Sequence, residues 1–81
     1  MRLDKYLKVS RLIKRRTVAN EACDAERVSV NGRPQRASYE VKVGDKISIR
    51  FGERCLTVEV LAINETAGKA DAPAMYREVA E

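Results

Sequence analysis

Seven of the first sixteen side chains are cationic: Arg2, Lys5, Lys8, Arg11, Lys14, Arg15 and Arg16. The one acid among them is Asp4, so this stretch carries a net charge of +6. Residues 17–81 hold nine cations and eleven acids, a net −2, in a chain of net +4. Positive charge is therefore concentrated at one end of a nearly neutral body. Guanidinium and ammonium groups at this density bind polyanions, arginine as a two-pronged donor to phosphate and lysine as a point charge. A phosphate backbone is the commonest partner of such a cluster. The bland alternative is a solvated charged face. Against it, repulsion among seven cations with a single acid destabilises the fold unless an anion compensates it.

Covalent chemistry finds no support in the same residues. The chain has no histidine, so no nucleophile–base pair of the usual kind can form, and no paired carboxylates stand in a recognisable frame. Cys23 and Cys55 lie far apart with no CxxC pair, too few ligands for zinc. Both are expected to be small buried apolar residues in a reducing compartment. No catalytic residue, metal or cofactor is expected, and the chain is read as a binding protein rather than an enzyme.

The basic residues need elements to hold them. Residues 2–9 read as a helix: at about 100° per residue, Leu3, Tyr6 and Leu7 share one arc while Arg2, Lys5 and Lys8 share the opposite one. Asp4 falls at the edge, in the first turn where a carboxylate suits the helix dipole, four residues before Lys8 as an ion pair prefers. Ser10–Arg16 is a connector in which Leu12 and Ile13 turn inward and Arg11, Lys14, Arg15 and Arg16 face outward. A second helix is predicted from Arg16 or Thr17 to Asp24, its apolar stripe Val18, Ala22 and Ala25 with Ala19 and Cys23 beside it. Its N-terminus would add free N–H groups where the basic cluster ends, a natural phosphate site.

Beyond the helices the pattern becomes that of strands. Residues 27–31 alternate, and Asn31-Gly32 is the strongest turn signal in the chain. Pro34 marks an edge or loop, and Gly44 suits a further turn. Ile47, Ile49 and Phe51 share the inner face of a strand over residues 46–51. Gly52-Glu53 turns into a last strand from Arg54 to Ile63, bending near Leu61. Residues 64–72 read as a flexible connector, and Pro73 starts a short helix from Ala74 to Val79. The expected class is α+β, with two N-terminal helices packed on a small, mostly antiparallel sheet and a short C-terminal tail or helix. Residues 1–63 would be the domain and 64–81 a polar linker and tail. At 81 residues the core is thin. No signal peptide and no run of about 20 apolar residues is present, which points to the cytoplasm.

Four separated blocks carry a resemblance. Arg2-Leu3-Asp4-Lys5-Tyr6-Leu7, Lys14-Arg15-Arg16-Thr17-Val18-Ala19, Val28-Ser29-Val30-Asn31-Gly32 and Val43-Gly44-Asp45-Lys46-Ile47 follow one another as they do in the S4 RNA-binding domain. The likeness covers residues 1 to about 51. Among stand-alone S4 proteins the chain resembles the RqcP group of ribosome quality control and, next to it, the S4-type heat-shock proteins. The resemblance implies the S4 (αL) fold and a factor that lies on large-subunit rRNA beside peptidyl-tRNA on obstructed large ribosomal subunits. It also implies assistance to an RqcH-type factor that adds C-terminal alanine tails. Family RNA contacts fall on Arg2, Lys5 and Arg16, with Asp4 and Thr17 supporting that face. Lys8, Arg11, Lys14 and Arg15 join it on charge. In one departure, Ala25-Glu26-Arg27 stands where the family usually places a helix-stopping glycine, a cost of about 1 kcal/mol.

Structured RNA is read largely through shape and backbone, which a compact basic patch suits. One Phe and three Tyr, with Tyr6 and Phe51 assigned to the core, argue against reading unpaired bases by stacking. The competing readings are an rRNA assembly or heat-shock recycling factor of the same family and a binder of anionic membranes. The first helix has too few apolar residues for the latter and uses them in the core, so no membrane partner is expected. The protein is expected to be a monomer off the ribosome.

Overall fold

Alternating apolar residues set the sheet, and two short amphipathic helices cover it. The computed structural model describes residues 1–64 and 72–79. Helices α1 (Leu3–Val9) and α2 (Arg16–Asp24) come first. Strands β1 (Val28–Val30), β2 (Arg33–Pro34), β3 (Lys46–Phe51), β4 (Arg54–Val60) and β5 (Tyr76–Glu78) follow, with a 3-10 turn over Ala72–Met75 before β5. They form one antiparallel sheet in the order β2-β1-β3-β4-β5. This is the α+β arrangement of two N-terminal helices on a small antiparallel sheet, with Pro34 on an edge strand as its missing N–H requires.

The core lies between the helices and one face of the sheet. Leu3, Tyr6 and Leu7 of α1 meet Val28, Val30, Ile47, Ile49, Val58 and Val60. The register places Val30, Ile47 and Val58 side by side across three strands. Asn31 and Gly32, at φ 52 and 85, make the two-residue β1–β2 turn. Asn31 also donates to buried Asp45 at 3.1 Å, while its own side-chain oxygen takes the Lys46 N–H at 3.1 Å. Asp45 further accepts the Tyr39 hydroxyl and the Lys42 N–H. The Asn31-Gly32 and Gly44-Asp45 blocks are thus two halves of one polar knot at the end of the sheet.

Several expectations are corrected. On α2 the buried residues are Ala19 and Cys23, while Val18 and Ala25 are exposed, because the helix is rolled about one position from the predicted stripe. Phe51 is 45% exposed rather than core: it points to the inner face, but at the end of the β3–β4 hairpin, opposite Arg54. Cys55 is exposed, and only Cys23 is buried. The strand predicted to reach Ile63 ends at Val60, and it is not the last.

The C-terminal segment makes the largest difference. In place of a helix over Ala74–Val79 there is one 3-10 turn and then β5, which pairs with β4 from Val60↔Tyr76 to Val58↔Glu78. The Met75 carbonyl accepts the N–H groups of Leu61 (2.8 Å) and Ala62 (3.1 Å) and the buried Tyr6 hydroxyl (2.8 Å). The Met75 side chain is in the core. Of the predicted connector 64–72, residues 65–71 lie outside the described residues.

Candidate nucleic-acid interface

The basic face is built on α1, α2 and the connector between them. The start of α1 is held by the 37–41 segment. The Leu3 N–H bonds to the Tyr39 carbonyl at 2.8 Å and the Asp4 N–H to that of Ala37 at 3.2 Å. The terminal ammonium meets Glu40 Oε1 at 2.9 Å, and the Val41 N–H meets the Met1 carbonyl at 2.9 Å. These bonds satisfy donors that a helix start leaves open and fix the backbone on either side of Arg2. Beyond α1 the chain reverses through Arg11 at φ 63, a left-handed conformation that brings Ile13 back onto the core.

Asp4 organises one half of the face. Its side chain is nearly inaccessible, the residue being 2% exposed, yet it is bonded to two arginines from different elements. Arg2 Nε donates to Oδ1 and Arg16 Nε to Oδ2, each at 3.2 Å. The Lys5 N–H donates to Oδ1 at 2.8 Å, and Asn20 Nδ2 makes a longer contact with Oδ2 at 3.5 Å. Burial pushes this carboxyl up. The hydrogen bonds from Arg16, the Lys5 N–H and Asn20, with the Arg16 charge, outweigh that and hold its pKa below the ordinary value. Asp4 is therefore a buried anion at neutral pH. Arg16 is gripped through Nε while about half of its side chain stays exposed, which leaves guanidinium donors for a phosphate. Thr17, Asn20 and Glu21 line the same recess as Asp4 and Arg16.

Lys8, Arg11 and Lys14 form a second group, lining a recess where α1 runs into the connector. Arg15, exposed, is the N-cap residue of α2 and caps it with no side-chain bond. Lys5 is half-buried between the groups. Five of the seven cations thus fall into two groups, Arg2 and Arg16 on Asp4 at the helix junction and Lys8, Arg11 and Lys14 beside it, with Lys5 and Arg15 in neither. The expected Asp4–Lys8 pair does not form, because the carboxylate is turned inward to Arg2 and Arg16.

Sequence reasoning missed Asn20. Its signal was its place one turn after Arg16, on the side of α2 facing α1. It also missed a shallow groove between α2 and the β3–β4 hairpin, lined by Val18 and Phe51 with Lys14, Arg27 and Arg50. Among the described residues no group of His, Cys, Asp and Glu side chains is placed to hold a metal ion, and no helix is long and apolar enough to cross a membrane.

Comparison with known proteins agrees with this architecture. The S4 domain family matches residues 1–47. The "RQC P-site tRNA stabilizing factor" of Bacillus subtilis (strain 168) is 53% identical over 76 residues, covering 94% of this chain and 88% of that protein. Its namesake in Streptococcus pneumoniae is 52% identical over 81 residues, covering all of this chain and 92% of that protein. Among solved structures, the trimeric heat shock protein 15 of Vibrio cholerae superposes with a TM-score of 0.90 at 32% identity, covering 99% of this chain and 82% of that one. The chain belongs to the S4 domain family, together with the RQC P-site tRNA stabilizing factors that it matches at about half of all positions.

Proposed function

We propose that this protein is a cytoplasmic, non-catalytic RNA-binding factor of ribosome-associated quality control. In this reading it binds large-subunit rRNA and peptidyl-tRNA on obstructed large ribosomal subunits and assists an RqcH-type factor in alanine tailing. The observation that carries it is the pair of arginines held on one buried carboxylate, Arg2 and Arg16 on Asp4, in a chain about half identical to P-site tRNA stabilizing factors. The contacting residues are Arg2, Lys5, Lys8, Arg11, Lys14, Arg15 and Arg16, with Asp4 and Thr17 supporting them. All lie in residues 1–63, the RNA-binding part of the chain in this reading. Off the ribosome the protein is a monomer.

The test is sedimentation of tagged protein from lysate, wild type beside Arg2→Ala and Arg16→Ala, with the bound particles analysed for peptidyl-tRNA. Large subunits carrying peptidyl-tRNA should come down with wild type and be lost in both variants. Recovery of free rRNA or small-subunit precursors instead would overturn the quality-control role. A second reading, recycling of blocked subunits without tailing, is favoured by the close superposition on heat shock protein 15. Loss of alanine tails from stalled chains in a deletion strain separates the two.

A further inference from the structure

Two of the large apolar side chains left exposed, Val18 (47%) and Phe51 (45%), face one groove together with Leu12. Three cations, Lys14, Arg27 and Arg50, are among the other residues that line it, and no Asp or Glu does. Arg27 and Arg50 are neighbours, since the Arg50 N–H bonds to the Arg27 carbonyl at 2.8 Å. None of the three cations has a side-chain ion pair or hydrogen bond among the described residues. Like charges held side by side without a counter-ion await an anion. A half-exposed aromatic side chain in a groove that such cations also line has the two parts of a nucleotide site: a face for a base and donors for its phosphates.

Lys14 also lines the recess of Lys8 and Arg11, so the groove continues the basic face rather than standing apart from it. We infer that the groove takes an unpaired nucleotide of the bound RNA, its base stacked on Phe51 over the apolar floor and its flanking phosphates on Arg27 and Arg50. The inference rests on the RNA-binding reading above and extends it: beyond backbone and shape, the protein selects RNA with a nucleotide free to leave its helix.

The test uses the full chain and two synthetic RNAs, a short A-form duplex and the same duplex with one bulged 2-aminopurine. Wild type should bind the bulged RNA on the order of tenfold more tightly, with quenching of the bulge fluorescence. Phe51→Leu, which keeps an apolar side chain at a half-exposed site, should bind both RNAs with the wild-type duplex affinity and without quenching. Phe51→Tyr should restore the preference and the quenching. Arg27→Gln and Arg50→Gln should each weaken binding and lower the salt dependence by about one ion. Equal affinity of wild type for the two RNAs, or a preference that Phe51→Leu leaves intact, overturns the inference. Arg16→Ala separates the two levels. Duplex binding that needs Arg16 but shows no bulge preference sinks only the groove, whereas duplex binding that is absent or indifferent to Arg16 sinks the RNA face itself, and the groove with it.

Discussion

Asp4 Oδ2 accepts the Nε–H of Arg16 at 3.2 Å, tying the first turn of α1 to the first residue of α2. A buried carboxylate inside a basic patch lowers the patch's charge, which on net charge alone weakens phosphate binding. Its geometry argues the opposite. By holding Arg2 and Arg16 through Nε, it spares both side chains much of the ordering that two long, exposed arginines would undergo on binding RNA.

Asp4→Asn separates these effects, since it removes a negative charge from the patch and the anchor with it. RNA binding should weaken by roughly fivefold or more if orientation dominates. Tighter binding would show that charge alone governs. Removing one partner of a buried pair costs ~3–5 kcal/mol, but both guanidiniums here are half in water, so a loss of about 1–2 kcal/mol in stability is expected. The pH dependence has a definite sign. Asp4 has a lowered pKa, so its contribution is complete above the ordinary 3.8 and is lost as pH falls through the folded-state value. The gap between wild type and Asp4→Asn in urea melts should hold down to about pH 4 and close below it.

The end of α2 stores a small, removable strain. Glu26 sits at φ 59 and closes a Schellman motif, its N–H bonding to the Cys23 carbonyl at 3.0 Å and the Arg27 N–H to that of Ala22 at 2.9 Å. The left-handed conformation costs a residue with a side chain ~1–2 kcal/mol, and glycine gives back ~0.4–1 kcal/mol through unfolded-chain entropy. Glu26→Gly should therefore stabilise by about 0.5–1 kcal/mol, while Glu26→Ala, which keeps Cβ, should not. Arg11, at φ 63, provides the contrast. Arg11→Gly should relieve the same strain yet weaken RNA binding, moving the two readouts in opposite directions.

These positions show what sequence makes legible. The missing helix-stopping glycine at Ala25-Glu26-Arg27 was visible only against the pattern of the S4 family that the chain resembles. The Asn31-Gly32 turn was visible because both residues accept φ above zero. The cations on α1 were visible because periodicity assigns faces. What escaped depends on distant partners. Asp4 falls at the edge of its helical wheel and is buried only because α2 closes over it. Phe51 alternates with Ile47 and Ile49, and nothing local says that the covering helices stop short of it. β5 is three residues long and exists through its ladder with β4, a pairing that no local pattern encodes.

That ladder should matter to stability. Met75 is in the core, so Met75→Ala should cost ~2–5 kcal/mol, a large part of what a domain of this size has. Tyr6→Phe removes one of three donors to the Met75 carbonyl. With Leu61 and Ala62 still bonded, the expected loss is only about 0.5–1 kcal/mol. Burial, and then the neighbouring Tyr76, raise the Tyr6 pKa above its ordinary 10.0. Its contribution is complete below that value and fades as pH rises above it. Wild type should thus lose stability above about pH 10 more steeply than Tyr6→Phe does.

Thiol labelling checks the packing of α2 directly. Thiolate is the reacting form, so reactivity follows both access and pKa. Cys55 is exposed on β4, whereas Cys23 faces the core and its thiol is pushed up to about 11, by burial first and then by the Asp4 and Asp24 charges. A disulfide reagent at neutral pH should modify Cys55 at once and Cys23 only when α2 opens. Cys55→Ser isolates the slow reaction. Its rate should rise in Asp4→Asn, where the tie from α1 to α2 is cut, by more than the change in global stability accounts for if α2 opens locally. A rise that matches global stability would mean that α2 leaves the core only when the whole domain unfolds, and that the Asp4 contacts orient arginines without separately holding the helix. Rapid labelling of Cys23 in the wild type would contradict the packing of α2 itself.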